Sequence, residues 1–159
     1  MQTFNFLAVT HKNFEEQTLS VFQHQAKHCK VYRDFIKLLN IHPQEIKDIC
    51  EIPFLPIQFF KSHSIVSNSR PVQETFLSSG TTGMNQSKHL VTDVAFYQKS
   101  YLKAFKQFYG EIKKYTILAL LPSYLERNGS SLIYMVEDLI QQSDNPNSGF
   151  YLHNHQELF

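Results

Sequence analysis

Cysteine, charge imbalance and long hydrophobic runs are all scarce in this sequence of 159 residues. Its two cysteines, Cys29 and Cys50, are too few for a disulfide scaffold. We therefore expect reduced thiols in the core, with a single bridge between them as the alternative. The net charge is only +1, from 15 basic and 14 acidic residues. That balance argues against nucleic-acid binding and against a basic membrane anchor.

The sequence also lacks a recognisable leader or membrane span. Its beginning, MQTFNFLAVTHKNFEE, has no basic segment and no long apolar run, so it does not read as a secretory signal. The longest apolar run covers residues 117–121 and is followed by Pro122. That run is far shorter than the ~18 residues a membrane span needs. These absences predict a soluble, cytoplasmic protein.

What is present is a large apolar fraction and a helical pattern in residues 1–50. Hydrophobic residues make up 42% of the chain, which excludes a disordered protein. Asn13 and Glu16 have the spacing of a capping box that opens a first helix. Apolar residues at helical spacing predict a second helix that ends near Asn40, and Pro43 predicts the start of a short third. The prolines Pro53 and Pro56 then end helical structure.

Residues 51–159 change to alternating strands and helices. We predict strands over 74–77, 88–92, 115–121 and 150–152. Asp93 is predicted to cap a helix that Gly110 ends, and Ser130 or Ser131 to cap the next. This order predicts an α/β fold with a mainly parallel sheet flanked by helices. Because the chain stops within another strand-to-helix connection, we expect one incomplete domain, a fragment of a longer protein.

The strongest chemical signal is a polar loop that follows the first predicted strand. Glycine lets backbone amides approach an anion, hydroxyls donate to phosphate oxygens, and a lysine adds positive charge. The loop lacks the Walker A pattern, because Asn85 stands where the second glycine is required. On residue chemistry alone, an ordinary surface loop is the alternative. The proposed phosphate-binding residues are Ser78, Ser79, Gly80, Thr81, Thr82, Gly83 and Lys88.

The hexapeptide SSGTTG followed by lysine resembles the phosphate-binding loop of the adenylate-forming superfamily. The segments IPFLPIQFFKSHSI, ETFLSSGTTG, SKHL and LALLPSYLERNGSSLIYMV resemble one branch, the acyl-protein synthetases that act as long-chain-fatty-acid, luciferin-component ligases. The resemblance covers about residues 50 to 155 and implies the large-domain fold of that superfamily. The common superfamily loop has Gly-x-Pro-Lys, whereas here residues 84–87 precede Lys88 without a proline.

The resemblance implies that ATP and Mg²⁺ serve to activate a carboxylic acid as an acyl-adenylate. The acyl group would then pass to a thiol of a protein cysteine, a carrier protein or coenzyme A. It implies no catalytic residue within this chain, and the glutamate, aspartate and lysine motifs of the superfamily would lie downstream. Two alternatives stay open: a non-catalytic, oligomerising folding unit, which includes a possible homo-oligomer, and an acyltransferase or thioesterase that does not use ATP.

A second candidate segment opens the helix after residue 128. A helix N-terminus attracts anions, so Tyr124, Arg127, Ser130 and Ser131 are candidates for contact with an acyl group or an anion. Ordinary capping by Ser130 is the alternative, and the favoured one.

Two further patterns favour structural roles. His24 and His28 have the i, i+4 spacing of a zinc pair but no third ligand nearby, so we predict no metal site. Aromatic residues repeat along the helix after Asp93, and we expect them to form core; they are Phe96, Phe105, Phe108 and Tyr109.

Overall fold

The computed structural model describes residues 8–79, 86–122 and 128–152. It contains five α-helices and four strands within those ranges. The helices are α1 (Phe14–His28), α2 (Lys30–Leu38), α3 (Phe59–Ser62), α4 (Val94–Tyr109) and α5 (Ser131–Ser143). The strands are β1 (Glu74–Leu77), β2 (Lys88–Val91), β3 (Leu118–Ala119) and β4 (Gly149–Phe150). Single 3₁₀ turns cover Pro43–Glu45, Ile49–Glu51 and Ile112–Lys114.

The helices α1 and α2 form a helical region whose core lies between them. The predicted start of α1 and the predicted end of the second helix near Asn40 are confirmed, whereas the short third helix expected from Pro43 is a single 3₁₀ turn. Helical i, i+4 spacing brings the same faces together. The buried core residues are Phe22, Ala26, Cys29, Tyr32 and Ile36. Around them pack the half-buried side chains Val31, Phe35, Ile41, Ile46, Ile52, Leu55 and Ile65.

The predicted capping box at Asn13 is wrong. Asn13 does occupy the position before α1, but its side chain makes no bond to the helix. Its Oδ1 instead accepts the backbone N–H of Thr10 at 2.7 Å and the Thr10 hydroxyl at 3.1 Å. The Asn13 side chain therefore stabilises the turn before α1 and does not cap the helix in the way that its spacing to Glu16 predicted. A capping box occurs further on, between Asp48 and Glu51.

The predicted mixture of helices and strands is confirmed, but the predicted mainly parallel sheet is not. The described residues contain one antiparallel and one parallel pair of strands. The strands β1 and β2 form an antiparallel hairpin that pairs Glu74 with Val91 and Leu77 with Lys88. Only residues 78–87 connect them, and a parallel pair needs a crossover of about a dozen residues or more. The strands β3 and β4 are parallel, with α5 in the connection between them.

The third predicted strand is much shorter than expected. Residues 112–114 form a 3₁₀ turn, and β3 covers only Leu118–Ala119. On either side the ladder is completed by single bonds: Gly149 N–H donates to the Ile117 carbonyl at 2.9 Å, and Tyr151 N–H to the Ala119 carbonyl at 2.8 Å. The apolar run therefore marks the strand's position but not its length.

The ends of α4 agree with the prediction, while its buried face does not. Asp93 accepts the Phe96 N–H at 2.9 Å, and Gly110 follows the helix with φ of 83°. The predicted aromatic core is wrong for most of its members: Phe96 is 38% exposed, Phe108 76% and Tyr109 61%. The face that is buried carries Tyr101 instead, with Tyr97 half-buried beside it. None of the helices in the described ranges is long and apolar enough to cross a membrane.

Candidate functional site

The base of the predicted phosphate loop is closed by hydrogen bonds between its first and last described residues. Ser78 N–H donates to the Ser87 carbonyl at 3.0 Å. In return, Ser87 N–H donates to the Ser78 hydroxyl oxygen at 3.0 Å. Gln86 Nε2 donates to the Ser78 carbonyl, also at 3.0 Å. Together with the neighbouring strand pair of Leu77 and Lys88, these residues form what we call the loop base: Leu77, Ser78, Gln86, Ser87 and Lys88.

Gln86 and Ser87 were not among the predicted site residues. The sequence showed them only as part of a spacer before Lys88 that departs from the common superfamily pattern. In the structure they hold the two ends of the loop together. The Ser78 hydroxyl oxygen serves the same purpose, because it accepts the Ser87 N–H.

The loop base is joined directly to the start of α5. Leu77 N–H donates to the Gly129 carbonyl at 2.8 Å. Gly129 has φ of 83°, and a Cβ atom built on it would lie 3.3 Å from the Leu77 side chain. A glycine therefore fits here for two reasons, the left-handed backbone and the closeness of Leu77. The two segments that sequence analysis singled out separately thus meet at one place.

Lys88 lies at the end of the hairpin nearest α5. It stands opposite Leu77 in the antiparallel register, and directly opposed residues project from the same face of a hairpin. Leu77 contacts Gly129 on that face. Lys88 itself is exposed.

At the start of α5, Ser130 acts as an ordinary cap. Its hydroxyl oxygen accepts the Ile133 N–H at 3.4 Å. Ser131 is the first helical residue, and its carbonyl accepts the Tyr97 hydroxyl at 3.0 Å. The capping reading favoured from sequence is therefore confirmed for Ser130. Direct contact of either serine with a ligand stays a prediction.

Aromatic rings and tyrosine hydroxyls connect β1, α4 and α5 next to the loop base. Phe76 of β1 is buried, with ring centroids 5.2 Å from Tyr97 and 5.6 Å from Tyr134. Tyr101 donates to Asp138 Oδ2 at 2.6 Å, and Gln142 Nε2 donates to the same oxygen at 2.7 Å. Burial, followed by the bond to Asp138, raises the pKa of Tyr101, so its phenol stays protonated. These contacts fix α4, α5 and β1 relative to one another.

Several predicted site residues lie outside the described residues. These are Gly80, Thr81, Thr82 and Gly83 of the loop, and Tyr124 and Arg127 of the second segment. Of the loop residues within the description, Ser78 and Ser79 are exposed at the end of β1. Their roles toward phosphate stay predictions.

Both cysteines carry free thiols, as predicted, but their predicted position in the core is confirmed only for Cys29. Cys29 is buried between α1 and α2, whereas Cys50 is exposed. The neighbouring Asp48, through a side-chain hydrogen bond and its negative charge, raises the pKa of the Cys50 thiol. A thiol is nucleophilic as its thiolate, so the surroundings of Cys50 oppose reactivity.

The His24 and His28 rings lie with their centroids 4.5 Å apart and are tilted by 36° to each other. Among the residues with described positions, no group of three or more histidine, cysteine, aspartate or glutamate side chains is placed to hold a metal ion. Burial, with the charges of His24 and Lys27, lowers the pKa of His28.

Comparison with known proteins gives two matches. The family described as "Acyl-protein synthetase, LuxE" matches residues 8–116, which is more than half of the chain. A long-chain-fatty-acid–luciferin-component ligase from Photorhabdus luminescens is 34% identical over 67 residues. That match covers 42% of this chain and 57% of the Photorhabdus protein, so the chain matches only part of this relative's length. No solved structure matches the chain.

Proposed function

Because the chain belongs to the acyl-protein synthetase (LuxE) family, we propose that the whole protein uses ATP to activate a carboxylic acid and transfers the acyl group to a thiol. The relative from Photorhabdus is named for a long-chain fatty acid and a luciferin component. A long-chain fatty acid is accordingly the first acid to test. A protein cysteine, a carrier protein and coenzyme A are the acceptors to compare.

The proposed reaction has two steps. A carboxylate oxygen attacks the α-phosphorus of ATP, and pyrophosphate leaves with the bonding electrons. The thiolate of the acceptor then attacks the carbonyl carbon, and AMP leaves with the oxygen that came from the acid. Both steps place negative charge on phosphate oxygens, which fixed amides, hydroxyls and cations stabilise.

The observation that carries the proposal is the joining of the loop base to the start of α5. The Leu77–Gly129 bond brings the loop next to a helix N-terminus, where unpaired amides and the helix dipole favour anions. Lys88 adds a cation on the same face of the hairpin. In the proposed site, Ser78 and Ser79 lie at the mouth of the loop, and residues 80–83 bind the phosphates.

Mg²⁺ is expected to accompany ATP and to neutralise part of the phosphate charge. Since the described residues hold no cluster of metal ligands, no protein ligand is assigned to it and no step is derived from it. Cys29 is buried and Cys50 lies beside Asp48, so neither is proposed as the acyl acceptor.

The test is acid-dependent exchange of labelled pyrophosphate into ATP, measured on the whole protein. We expect the combined variant Thr81→Ala, Thr82→Ala, Lys88→Ala to lower the exchange rate by about 100-fold or more, the scale of losing donors to a developing charge. Lys99→Ala is the matched control, because Lys99 is an exposed lysine of α4 that is not assigned to the site. Equal exchange in the triple variant and the control would contradict the assignment of the loop.

A further inference from the structure

The helical region contains an apolar cavity of about 370 Å³, here called the helical cavity. It lies between α1, α2 and the chain from Ile49 to Ser67. Its volume is within the ~300–1,000 Å³ range of small-molecule sites. The walls are largely aliphatic and aromatic, and include Val21, Phe22, Ile52, Leu55, Phe60 and Ile65.

Two polar side chains of the wall, Thr18 and Tyr32, are already hydrogen-bonded within the protein. The Thr18 hydroxyl donates to the Phe14 carbonyl at 2.8 Å. The Tyr32 hydroxyl donates to the Pro53 carbonyl at 2.7 Å, which also fixes the segment that closes one side. No buried side-chain nitrogen or oxygen within the described ranges lacks a hydrogen-bond partner. The walls are thus mainly apolar, with Gln25 and Ser67 as further polar residues of the lining, and this suits an alkyl chain.

The rim of the helical cavity exposes large apolar side chains to water. Phe54 is 85% exposed and Phe14 is 51% exposed, and both line the cavity. An alkyl ligand would cover part of this surface while it fills the space behind. Each buried methylene group contributes about 0.8 kcal/mol to such binding.

One short helix connects this cavity with the loop base. Phe60 of α3 lines the cavity, and α3 packs against β2. Lys88 is the first residue of β2. A fatty acid whose alkyl chain enters the cavity would therefore contact α3, which packs against the hairpin that carries the proposed phosphate loop.

We propose that the helical cavity binds the alkyl chain of the fatty-acid substrate. The identity of the ligand as an acid rests on the proposed function above; its alkyl character rests on the walls of the cavity. Under this proposal residues 14–67 select for the acid's chain, and the loop base serves ATP.

Cys29 gives a direct test, because it lines the cavity and is 3% exposed, while Cys50 is exposed and does not line it. Both thiols are alkylated with iodoacetamide in the same sample, without ATP, and followed by mass spectrometry. We expect saturating hexadecanoate below its micelle concentration to slow alkylation of Cys29 at least tenfold and to leave Cys50 unchanged. Equal rates with and without the acid, or equal slowing of both thiols, would overturn the proposal.

The chain-length dependence and a filled cavity sharpen the test. Across hexanoate, octanoate and decanoate, we expect affinity to rise about fourfold for each added methylene group until the space is full. Ile49→Trp, which places a large ring in the wall, should weaken decanoate binding at least tenfold. Ile46→Trp is the matched control: Ile46 is half-buried against the same core but does not line the cavity.

These results separate the inference from the proposed function. Protection of Cys29 without acid-dependent pyrophosphate exchange would leave the cavity assignment standing and remove the adenylation proposal. Acid-dependent pyrophosphate exchange without protection of Cys29 would support the adenylation proposal and remove the cavity assignment. If Ile49→Trp lacks the wild-type circular dichroism spectrum, the protection experiment on the unmodified chain decides alone. Cys29 reactivity that falls with protein concentration and not with fatty acid would assign the cavity to a second copy of the chain and overturn the proposal.

Discussion

The helical region (residues 8–67) and the sheet-containing region (residues 68–152) are stabilised in different ways. The helical region buries a contiguous cluster of side chains from α1 and α2. In the sheet-containing region, the strands are two to four residues long. There the packing depends on aromatic rings whose hydroxyls bond to the backbone or to Asp138.

Both regions bury apolar side chains, but the sheet-containing region adds a hydrogen bond from Tyr101 to the carboxylate of Asp138. The stability that comes from apolar burial falls when a substitution removes side-chain volume from the core. Directed bonds fix the geometry of α4, α5 and the loop base, which a phosphate site requires. Both regions also leave large apolar side chains exposed, among them Phe54 at 85% in the helical region and Phe108 at 76% in the sheet-containing region.

The largest effect is expected from Phe22→Ala. Phe22 is 2% exposed and its ring lies 6.2 Å from that of Tyr32, edge to face. Removing the ring leaves a cavity and should lower the free energy of unfolding by about 3–5 kcal/mol. Urea denaturation followed by circular dichroism measures this change. A loss below about 1 kcal/mol would show that the helical region does not depend on burial as described.

Gly129→Ala should follow in size, and Gly110→Ala is its matched control. Both glycines have φ of 83°, so each alanine introduces backbone strain of about 1 kcal/mol. Only at Gly129 does the new Cβ also meet Leu77, at 3.3 Å. We expect Gly129→Ala to destabilise by about 1–2 kcal/mol more than Gly110→Ala, and to lower pyrophosphate exchange. Equal losses of stability in the two variants would argue against the Leu77–Gly129 contact.

The two regions can be compared by removing one tyrosine hydroxyl from each, with the variants Tyr101→Phe and Tyr32→Phe. Tyr101→Phe removes the donor to Asp138, and a hydrogen bond to a charged group contributes about 1.5–3 kcal/mol. Tyr32→Phe in the helical region removes a bond to a backbone carbonyl, which contributes about 0.5–1.5 kcal/mol. Thermal unfolding of both variants should therefore show the larger loss for Tyr101→Phe. The opposite order would mean that Gln142 alone satisfies Asp138.

Alkaline pH should produce a smaller, graded loss. Burial raises the pKa of Tyr32 to about 12, and burial with the Asp138 bond raises that of Tyr101. In the unfolded chain a tyrosine titrates near pH ~10. The stability from the two protonated phenols is complete below that pH and is lost as pH rises through the folded values. Urea midpoints should fall from about pH 10 upward, and less steeply in Tyr101→Phe; parallel slopes in the variant and the wild type would contradict the assignment.

The parts of the fold that follow from local chemistry were predictable from the sequence. Asp93, Gly110 and Ser130 end or begin helices through bonds to residues a few positions away. The strand direction of β1 and β2 could have been predicted as well, because ten residues (78–87) connect them and a parallel crossover needs more. The alternation of strands and helices favours a parallel sheet, but this short connection excludes parallel pairing of β1 with β2.

The rest depended on contacts between distant positions. Leu77 meets Gly129, 52 positions further on (129 minus 77), and no local pattern indicates this. The buried face of α4 follows from Phe76 and Tyr134 packing on Tyr97, whereas hydrophobicity alone favoured Phe96 and Phe108. Gln86 and Ser87 could be recognised as the closure of the loop only once β1 and β2 were seen to pair.

The most direct test of the account follows oxygen from the acid to the nucleotide. A long-chain fatty acid labelled with a heavy oxygen isotope in its carboxylate is incubated with the whole protein, ATP, Mg²⁺ and a thiol acceptor. The products are then analysed by mass spectrometry. Adenylate formation predicts one labelled oxygen in AMP and none in the released pyrophosphate. Label in inorganic phosphate together with ADP, or acyl transfer without any labelled nucleotide, would contradict the proposed role of this loop and its ATP.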